Sequence, residues 1–303
     1  MAIPVILDTD IGMDVDDVWA LAFLLRCPEL DVKLITTATG DTRYRARLVA
    51  KLLEIEGRTE IPIGIGLTLD NSPRTHATWL GDYQLSDYPG QIINDGIGAI
   101  GETIASSPEP VTVVAIGPLP NLAAALDRFP ELTARSRLVG MHGSLRRGYL
   151  GAPKPMREYN VKQHSLACQR VFSSDWDITI TPLDTCGTTL LKDDRFKALL
   201  AGNDPLLQAA LANHFGFFTA VSDWPLFSTM DPHTQTSILY DTVAVYLAFS
   251  ETWLKMETLP ILVSDDGKTL IDDRGRPVRC ATEWHNEPAF LDFLVLRLRN
   301  DPP

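Results

Sequence analysis

Strand-like and helix-like segments alternate from the first residues of this chain, and that alternation leaves few folds open. Ile3-Pro-Val-Ile-Leu-Asp8 is apolar and β-branched enough for a buried strand, and Asp16-Asp17 open an apolar run of helical length that continues to Leu25. Asp31–Thr39 reads as a second strand, and the Gly40-Asp41-Thr42 turn leads into a helix whose apolar face is Leu48, Val49, Leu52, Leu53 and Ile55. Gly57 ends that helix, and Ile61–Ile65 is a short third strand. Strands separated by helices imply parallel neighbours joined by right-handed crossovers. The expectation is an α/β fold: a single domain over residues 1–303 built on an open, mostly parallel sheet flanked by helices.

Further along, Val111–Ile116, Ser136–Gly143 and Trp176–Thr181 have the composition of strands, Ile93–Ala105 and Leu190–Leu211 of helices. Leu259–Cys280 looks like strands joined by Asp-Asp-Gly and Asp-Arg-Gly-Arg-Pro turns, with a terminal helix after it. An apolar fraction of 45% over 303 residues can fill one large core. The net charge of −12 argues against nucleic acid or an anionic membrane as partner, since both need a basic face. A neutral small molecule fits better. The opening Met-Ala-Ile-Pro-Val has no basic n-region, and Asp8 cuts its apolar run short, so no signal or membrane segment is expected. Cys27, Cys168, Cys186 and Cys280 lack paired spacing, which favours reduced thiols in a cytoplasmic protein.

Between the first strand and the first helix lies a loop of acid. Asp8, Asp10, Asp14, Asp16 and Asp17 fall within ten residues. Two carboxylates roughly 6 Å apart repel by about 3 kcal/mol at an effective dielectric of about 20. Helix capping accounts for Asp16 and for Asp14, but not for Asp8 and Asp10, which stand at the carboxyl end of the strand, where parallel sheets keep their ligand sites. Hard cations take oxygen ligands, so Ca²⁺ or Mg²⁺ is the natural filler, and Ca²⁺ suits a carboxylate-rich cage better.

These residues carry a resemblance. Asp8-Thr9-Asp10-Ile11-Gly12 followed by Asp16-Asp17-Val-Trp-Ala-Leu resembles the amino-terminal signature of the inosine-uridine-preferring nucleoside hydrolases, Asp-x-Asp-Pro-Gly-x-Asp-Asp. Ile11 replaces the proline, and two extra residues, Asp14 among them, leave open which acid is the first of the pair. Gly117-Pro-Leu-Pro-Asn-Leu-Ala is similar to that family's Gly-Pro-Leu-x-Asn-x-Ala, and Glu158-Tyr159-Asn160-Val161 to its Glu-Phe/Tyr-Asn-x. Tyr240-Asp241 stands where the family reads His-Asp, and Gly40-Asp41 where it reads Gly-Asn. A strand-end Asp-x-Asp also opens phosphatases of the haloacid dehalogenase type, but their later Lys and second acidic pair are not evident.

The resemblance implies a Rossmann-like nucleoside hydrolase fold and a Ca²⁺-dependent hydrolase that splits ribonucleosides into base and ribose, usually as a homodimer or homotetramer. It implies metal ligation by Asp10, Asp17, the Ile116 carbonyl and Asp241, with Asp10 as general base on a metal-activated water. Asp16, Glu158 and Asn160 would grip the ribose, and Asp41 would support them. The polar, aromatic-studded loop over residues 66–92 would cover the nucleoside, with His76 and Trp79 as candidates for contacting the base. Tyr240 in place of His bears on how the base departs. A non-catalytic protein that keeps the metal and ribose site without turnover is the alternative. His142 and His164 are expected to serve structure, Phe217 and Phe218 the core, while Trp224 is a candidate for lining a pocket.

Overall fold

The central strand, β1 (Ile3–Thr9), has Val5, Ile6 and Leu7 fully buried, as a parallel strand covered on both faces must. In the computed structural model, which describes residues 2–300, it pairs in parallel with β2 (Leu30–Thr37). On that side the sheet continues through β3 (Ile63–Ile65) to a short edge strand, β4 (Ile92–Ile93). On the other side β5 (Val111–Ala115), β6 (Ser136–Met141) and β7 (Asp177–Thr181) follow, all parallel. The last three strands, β8 (Leu254–Val263), β9 (Thr269–Ile271) and β10 (Arg276–Trp284), are antiparallel with β8 in the middle, and β10 joins them to β7 in parallel. The full order is β4-β3-β2-β1-β5-β6-β7-β10-β8-β9. The α/β architecture expected from the alternation is therefore present, with helices covering two separate core layers. No helix among the described residues is long and apolar enough to cross a membrane.

Two helix boundaries differ from the sequence expectation. The run Leu190–Leu211 is broken into Asp193–Leu200 and Pro205–Ala220. Asp204 caps the second piece by accepting from Leu206 and Leu207 N–H, both at 3.0 Å, and Pro205 occupies its first turn, where a missing N–H costs nothing. The stretch Gly202-Asn203-Asp204-Pro205 carries that break in the sequence itself. Likewise Ile93 belongs to β4, and the helix begins at Gly96 under the cap of Asp95.

A buried polar knot ties the carboxyl ends of the middle strands together. Asp8, wholly buried, accepts from Thr36 Oγ1 at 2.5 Å and Asn121 Nδ2 at 2.8 Å. Asn121 also donates to the Thr37 carbonyl at 3.1 Å and accepts from Leu67 N–H at 2.9 Å, so one side chain joins β1, β2 and the segment after β3. Removing it strands several buried polar groups at once. Asn121→Ala is expected to destabilise the protein by about 2–3 kcal/mol. The same truncation at Leu166, 76% exposed, should stay within about 0.5 kcal/mol, as read from denaturant midpoints.

Candidate active site

The acidic loop is shaped by a turn that only glycine can make. Gly12 has φ +114°, and a Cβ there would fall 2.7 Å from Leu48 Cδ1 and 2.8 Å from Tyr44 Cε1. The turn folds Asp10, Asp14, Asp16 and Asp17 back on one another at the strand ends, and Asp10, Asp16 and Asp17 are all buried. Asp241 reaches the same place from the first turn of helix Tyr240–Leu247, which packs against β6, β7 and the helix Asp16–Leu25. Asp16, Asp17 and Asp241 bring carboxylate oxygens within 4.8 Å of one another. Burial, then the neighbouring acids, push all three carboxyls well above their usual range. An all-oxygen donor set at this spacing fits a hard divalent cation. Thr9 Oγ1 donates to Asp17 at 2.5 Å and fixes its rotamer. A Cβ on Gly117 would fall 2.7 Å from Asp10 Oδ1, so the backbone after β5 presses directly on Asp10.

Glu158 and Asn160 join this site while serving the fold. Glu158 caps helix Tyr159–Gln163, its Oε1 accepting from Asn160 N–H at 2.6 Å and its Oε2 from Gly143 at 3.0 Å and Val161 at 3.1 Å. Burial nonetheless pushes its carboxyl up to about 7 against those three donors. Asn160 Nδ2 donates to the carbonyls of Ile116 and Met141, each at 3.0 Å, so its remaining capacity is the acceptor Oδ1. The Ile116 carbonyl named by the sequence motif is thus held by a second motif residue. Asp14 Oδ1 accepts from Val15 N–H at 2.6 Å, and burial pushes its carboxyl up to about 7.

Above the acids opens a cavity of about 410 Å³. Its floor is Asp10, Asp14, Asp16, Asp17, Asp241, Ile116, Glu158 and Asn160; its walls are apolar and aromatic, with Met13, Tyr149, Tyr159, Trp224, Phe227 and Tyr240. The Tyr149 and Tyr240 rings meet edge to face at 5.9 Å and 88°. The Tyr240 hydroxyl is buried and has no protein partner, and burial holds its ionisation well above the usual phenol range. A cavity with an anionic floor and aromatic walls suits a ligand with a hydroxyl-rich end and a flat end.

Three sequence candidates lie elsewhere. His76 is buried behind the acidic loop, with Nδ1 against Asn213 Oδ1 at 2.8 Å and Nε2 against the Asp14 carbonyl at 3.0 Å, stacked on Phe217. It supports the loop rather than reaching a ligand. Trp79 packs under Lys51, whose ammonium stands 4.3 Å from the ring centroid and donates to the Trp79 carbonyl at 2.6 Å. Arg47 donates to the Tyr83 carbonyl at 2.6 Å, so this part of the 66–92 loop is fastened to helix Thr42–Glu56 and does not lie over the cavity. Asp41 caps that helix, accepting from Tyr44 N–H at 3.0 Å, and pairs with Arg74. Its charge is spent there. His142, neutral because burial pulls its imidazole down to about 4, holds the Gly117 carbonyl at 3.1 Å, a structural role as expected.

Tyr149, Tyr159, Met13 and Phe227 were not foreseen as lining residues. Tyr149 lies in a turn bracketed by Gly148 and Gly151 with Leu150 at φ +56°, and its hydroxyl accepts from Tyr159 N–H at 2.9 Å. Asp184 steadies the start of that loop through Leu145 and Arg146 N–H, both at 2.8 Å. The bracketing glycines are the one local sign of this turn.

Comparison with known proteins matches the arrangement. The family model described as inosine-uridine preferring nucleoside hydrolase covers residues 5–292. The non-specific ribonucleoside hydrolase RihC of Escherichia coli (strain K12) is 35% identical over 210 residues, covering 66% of this chain and 67% of that protein. Among solved structures, a plant nucleoside hydrolase, the PpNRh1 enzyme, superposes with a TM-score of 0.83 at 21% identity over 100% of both chains. A purine-preferring ribonucleoside hydrolase from Gardnerella vaginalis gives 0.80 at 23% identity over 98% of each. At those identities the structural likeness speaks for the fold, while the extent of the family match speaks for descent. The chain belongs to the inosine-uridine preferring nucleoside hydrolase family and is an N-glycosyl hydrolase.

Proposed function

We propose that this protein hydrolyses the N-glycosidic bond of ribonucleosides to free base and ribose, with Ca²⁺ at the acid cluster and Asp10 as general base. The observation that carries the reading is the convergence of Asp16, Asp17 and Asp241 beneath a cavity with aromatic walls. Asp10, Asp17, Asp241 and the Ile116 carbonyl would hold the cation, and Asp16, packed among them, would face both it and the ribose. When bound, such an ion supplies Lewis acidity toward a water and the ribose hydroxyls.

The chain's own residues do the rest. Asp10 accepts the proton of the attacking water. Asp16, Glu158 and the Asn160 Oδ1 receive hydrogen bonds from ribose hydroxyls, which orients the sugar and places negative charge where the oxocarbenium-like transition state becomes positive. Tyr149, Tyr240 and Trp224 flank the departing base, and their faces favour a planar ring. The Tyr240 hydroxyl can hydrogen-bond to that base, but with its ionisation raised by burial it is a poor proton donor near neutrality. A homodimer or homotetramer in the cytoplasm belongs to this reading on the family resemblance; four buried free cysteines agree with a reducing compartment.

A panel of purine and pyrimidine ribonucleosides assayed with added Ca²⁺ tests the activity directly: release of base and ribose is expected, and binding without turnover would replace this reading with that of a nucleoside-binding protein. Asp10→Asn is expected to lower kcat by about 10²–10⁴-fold. Asp14→Asn should not, because the Asp14 carboxylate is already engaged with Val15 N–H. An Asp14→Asn loss equal to that of Asp10→Asn would exchange their roles.

Chelation and pH supply a second check. Asp8 and Glu158 are raised to about 7 by burial, and burial with neighbouring acids also holds Asp16, Asp17 and Asp241 well above the usual carboxylate range. Between about pH 4 and pH 7 the folded state therefore binds more protons than the unfolded chain, and stability falls as pH rises. In chelator the Tm should drop from about pH 5 to about pH 7.5. Ca²⁺ at 100 times its Kd should add about 2.7 kcal/mol, and the gain should be largest at the higher pH. A Tm indifferent to Ca²⁺ at about pH 7.5 would count against the cation site.

Tyr240→His generates the third expectation. Imidazolium, with a pKa of about 6.5, can hand a proton to a departing base where a phenol cannot. The substitution should raise kcat/KM on inosine and uridine and leave nitrophenyl riboside, whose leaving group needs no proton, nearly unchanged. An equal effect on both substrate types would remove Tyr240 from the leaving-group step.

A further inference from the structure

Among the described residues, Arg45 is the one Arg or Lys that is buried, and it stands behind the acidic loop. Arg45, on helix Thr42–Glu56, is 2% exposed and among the largest fully buried side chains of the protein. All its hydrogen-bond partners are neutral oxygens: Nε donates to the Thr39 carbonyl at 2.8 Å, Nη1 to the Ile11 carbonyl at 2.9 Å, and Nη2 approaches Thr39 Oγ1 at 3.5 Å. A buried guanidinium without a carboxylate in contact is costly unless a negative field lies near. Asp10 and Asp17 supply that field, since the Arg45 charge acts on both.

The two carbonyls that Arg45 holds belong to the acidic loop and to the turn that follows β2. Ile11 follows Asp10 directly, and its N–H donates to Thr9 Oγ1 at 3.1 Å, the same hydroxyl that donates to Asp17 Oδ1 at 2.5 Å. Arg45 therefore reaches Asp17 through the backbone of Ile11, whose carbonyl and N–H belong to successive peptide groups, and through Thr9. On the other side Thr39, a β-branched residue, is held at φ +58°, a conformation that costs on the order of 1–3 kcal/mol and persists only where its surroundings enforce it. Gly40, at φ +52°, is a residue whose Cβ would fall 2.8 Å from Arg45 Nη2. The turn after β2 is thus built around the guanidinium, and the guanidinium around the acid loop.

We infer that Arg45 is a positioning residue for divalent-cation binding: its planar fork clamps the Ile11 and Thr39 carbonyls so that Asp10 and Asp17 are held in ligand geometry before the cation arrives. This rests on the reading of the acid cluster as a cation site. Lysine keeps the charge but, as a point donor, cannot span both carbonyls; methionine keeps bulk and loses charge and bonds.

The test is Ca²⁺ titration by calorimetry of the full chain, wild type against Arg45→Met, Arg45→Lys and Arg47→Met, with Tm in chelator measured for each. Groups that orient metal ligands from behind are typically worth about 10–100-fold in affinity. Kd is expected to rise by about that factor in Arg45→Met, by a smaller factor in Arg45→Lys, and not at all in Arg47→Met, which removes the same charge from the same helix without touching the clamp. A Kd unchanged or lowered in folded Arg45→Met, with only the Tm reduced, overturns the inference and leaves Arg45 a purely structural residue. If Arg45→Met does not fold, Arg45→Lys decides by the same criterion. Absence of Ca²⁺ binding by the wild type overturns the cation reading itself, a result distinct from unequal binding among variants.

Discussion

Mutual repulsion among buried carboxylates is the constraint to which the rest of this molecule answers. Asp16, Asp17 and Asp241 lie with oxygens within 4.8 Å of one another, Asp10 and Asp14 beside them. No folded chain gathers such charges without rigid walls, because each would relax into solvent if its backbone could move. The walls are visible. Gly12 permits the sharp turn, Gly117 brings backbone against Asp10, Thr9 pins Asp17, and Arg45 holds the Ile11 carbonyl from behind. The knot of Asp8, Thr36 and Asn121 locks the strand ends from which these loops spring.

Several residues serve architecture and chemistry together. Glu158 accepts from two N–H groups at a helix start and from Gly143 N–H and still lines the cavity; Asn160 spends both amide protons on the Ile116 and Met141 carbonyls and keeps its oxygen as an acceptor. Such double use makes this end of the cavity stiff, which suits the proposed role of Glu158 and Asn160 in contacts that strengthen as positive charge develops on a sugar. The opposite end is of another character. Tyr149, Trp224 and Phe227 come from loops and line the cavity with rings, so on the proposed reading the base is met by segments free to vary without disturbing the sheet.

The sheet and the acid loop were legible because their signals are local. Val5 to Leu7 and Val111 to Ala115 announce buried strands by composition alone, and five acids at a strand end need a reason whatever surrounds them. The break in Leu190–Leu211 is also written locally, in Gly202-Asn203-Asp204-Pro205, a stop followed by a cap that a reading of one long helix passes over. His76 and Trp79 fall elsewhere for a different reason: a polar, aromatic loop reads as a ligand cover, yet Lys51 and Arg47 draw this one onto a helix flank, and Asn213 draws His76 behind the acid loop. Nothing within residues 66–92 records those partners.

The amino-acid sequence by itself determined the alternation of strands and helices, the acid-rich turn after the first strand, and four separated motifs, two at strand ends and two at helix starts; these depend on side-chain period and on residue types that only certain backbone turns accept. Tertiary structure decided which acids meet, that Asp16 stands with Asp17 and Asp241 in the tightest group, that Arg45 braces the loop, and that Tyr149 and Phe227 wall the cavity. Those outcomes rest on contacts between segments far apart in the chain. Their energies come from burial and hydrogen bonding that exist only once the sheet has brought the loops to one edge, and no local pattern can encode them.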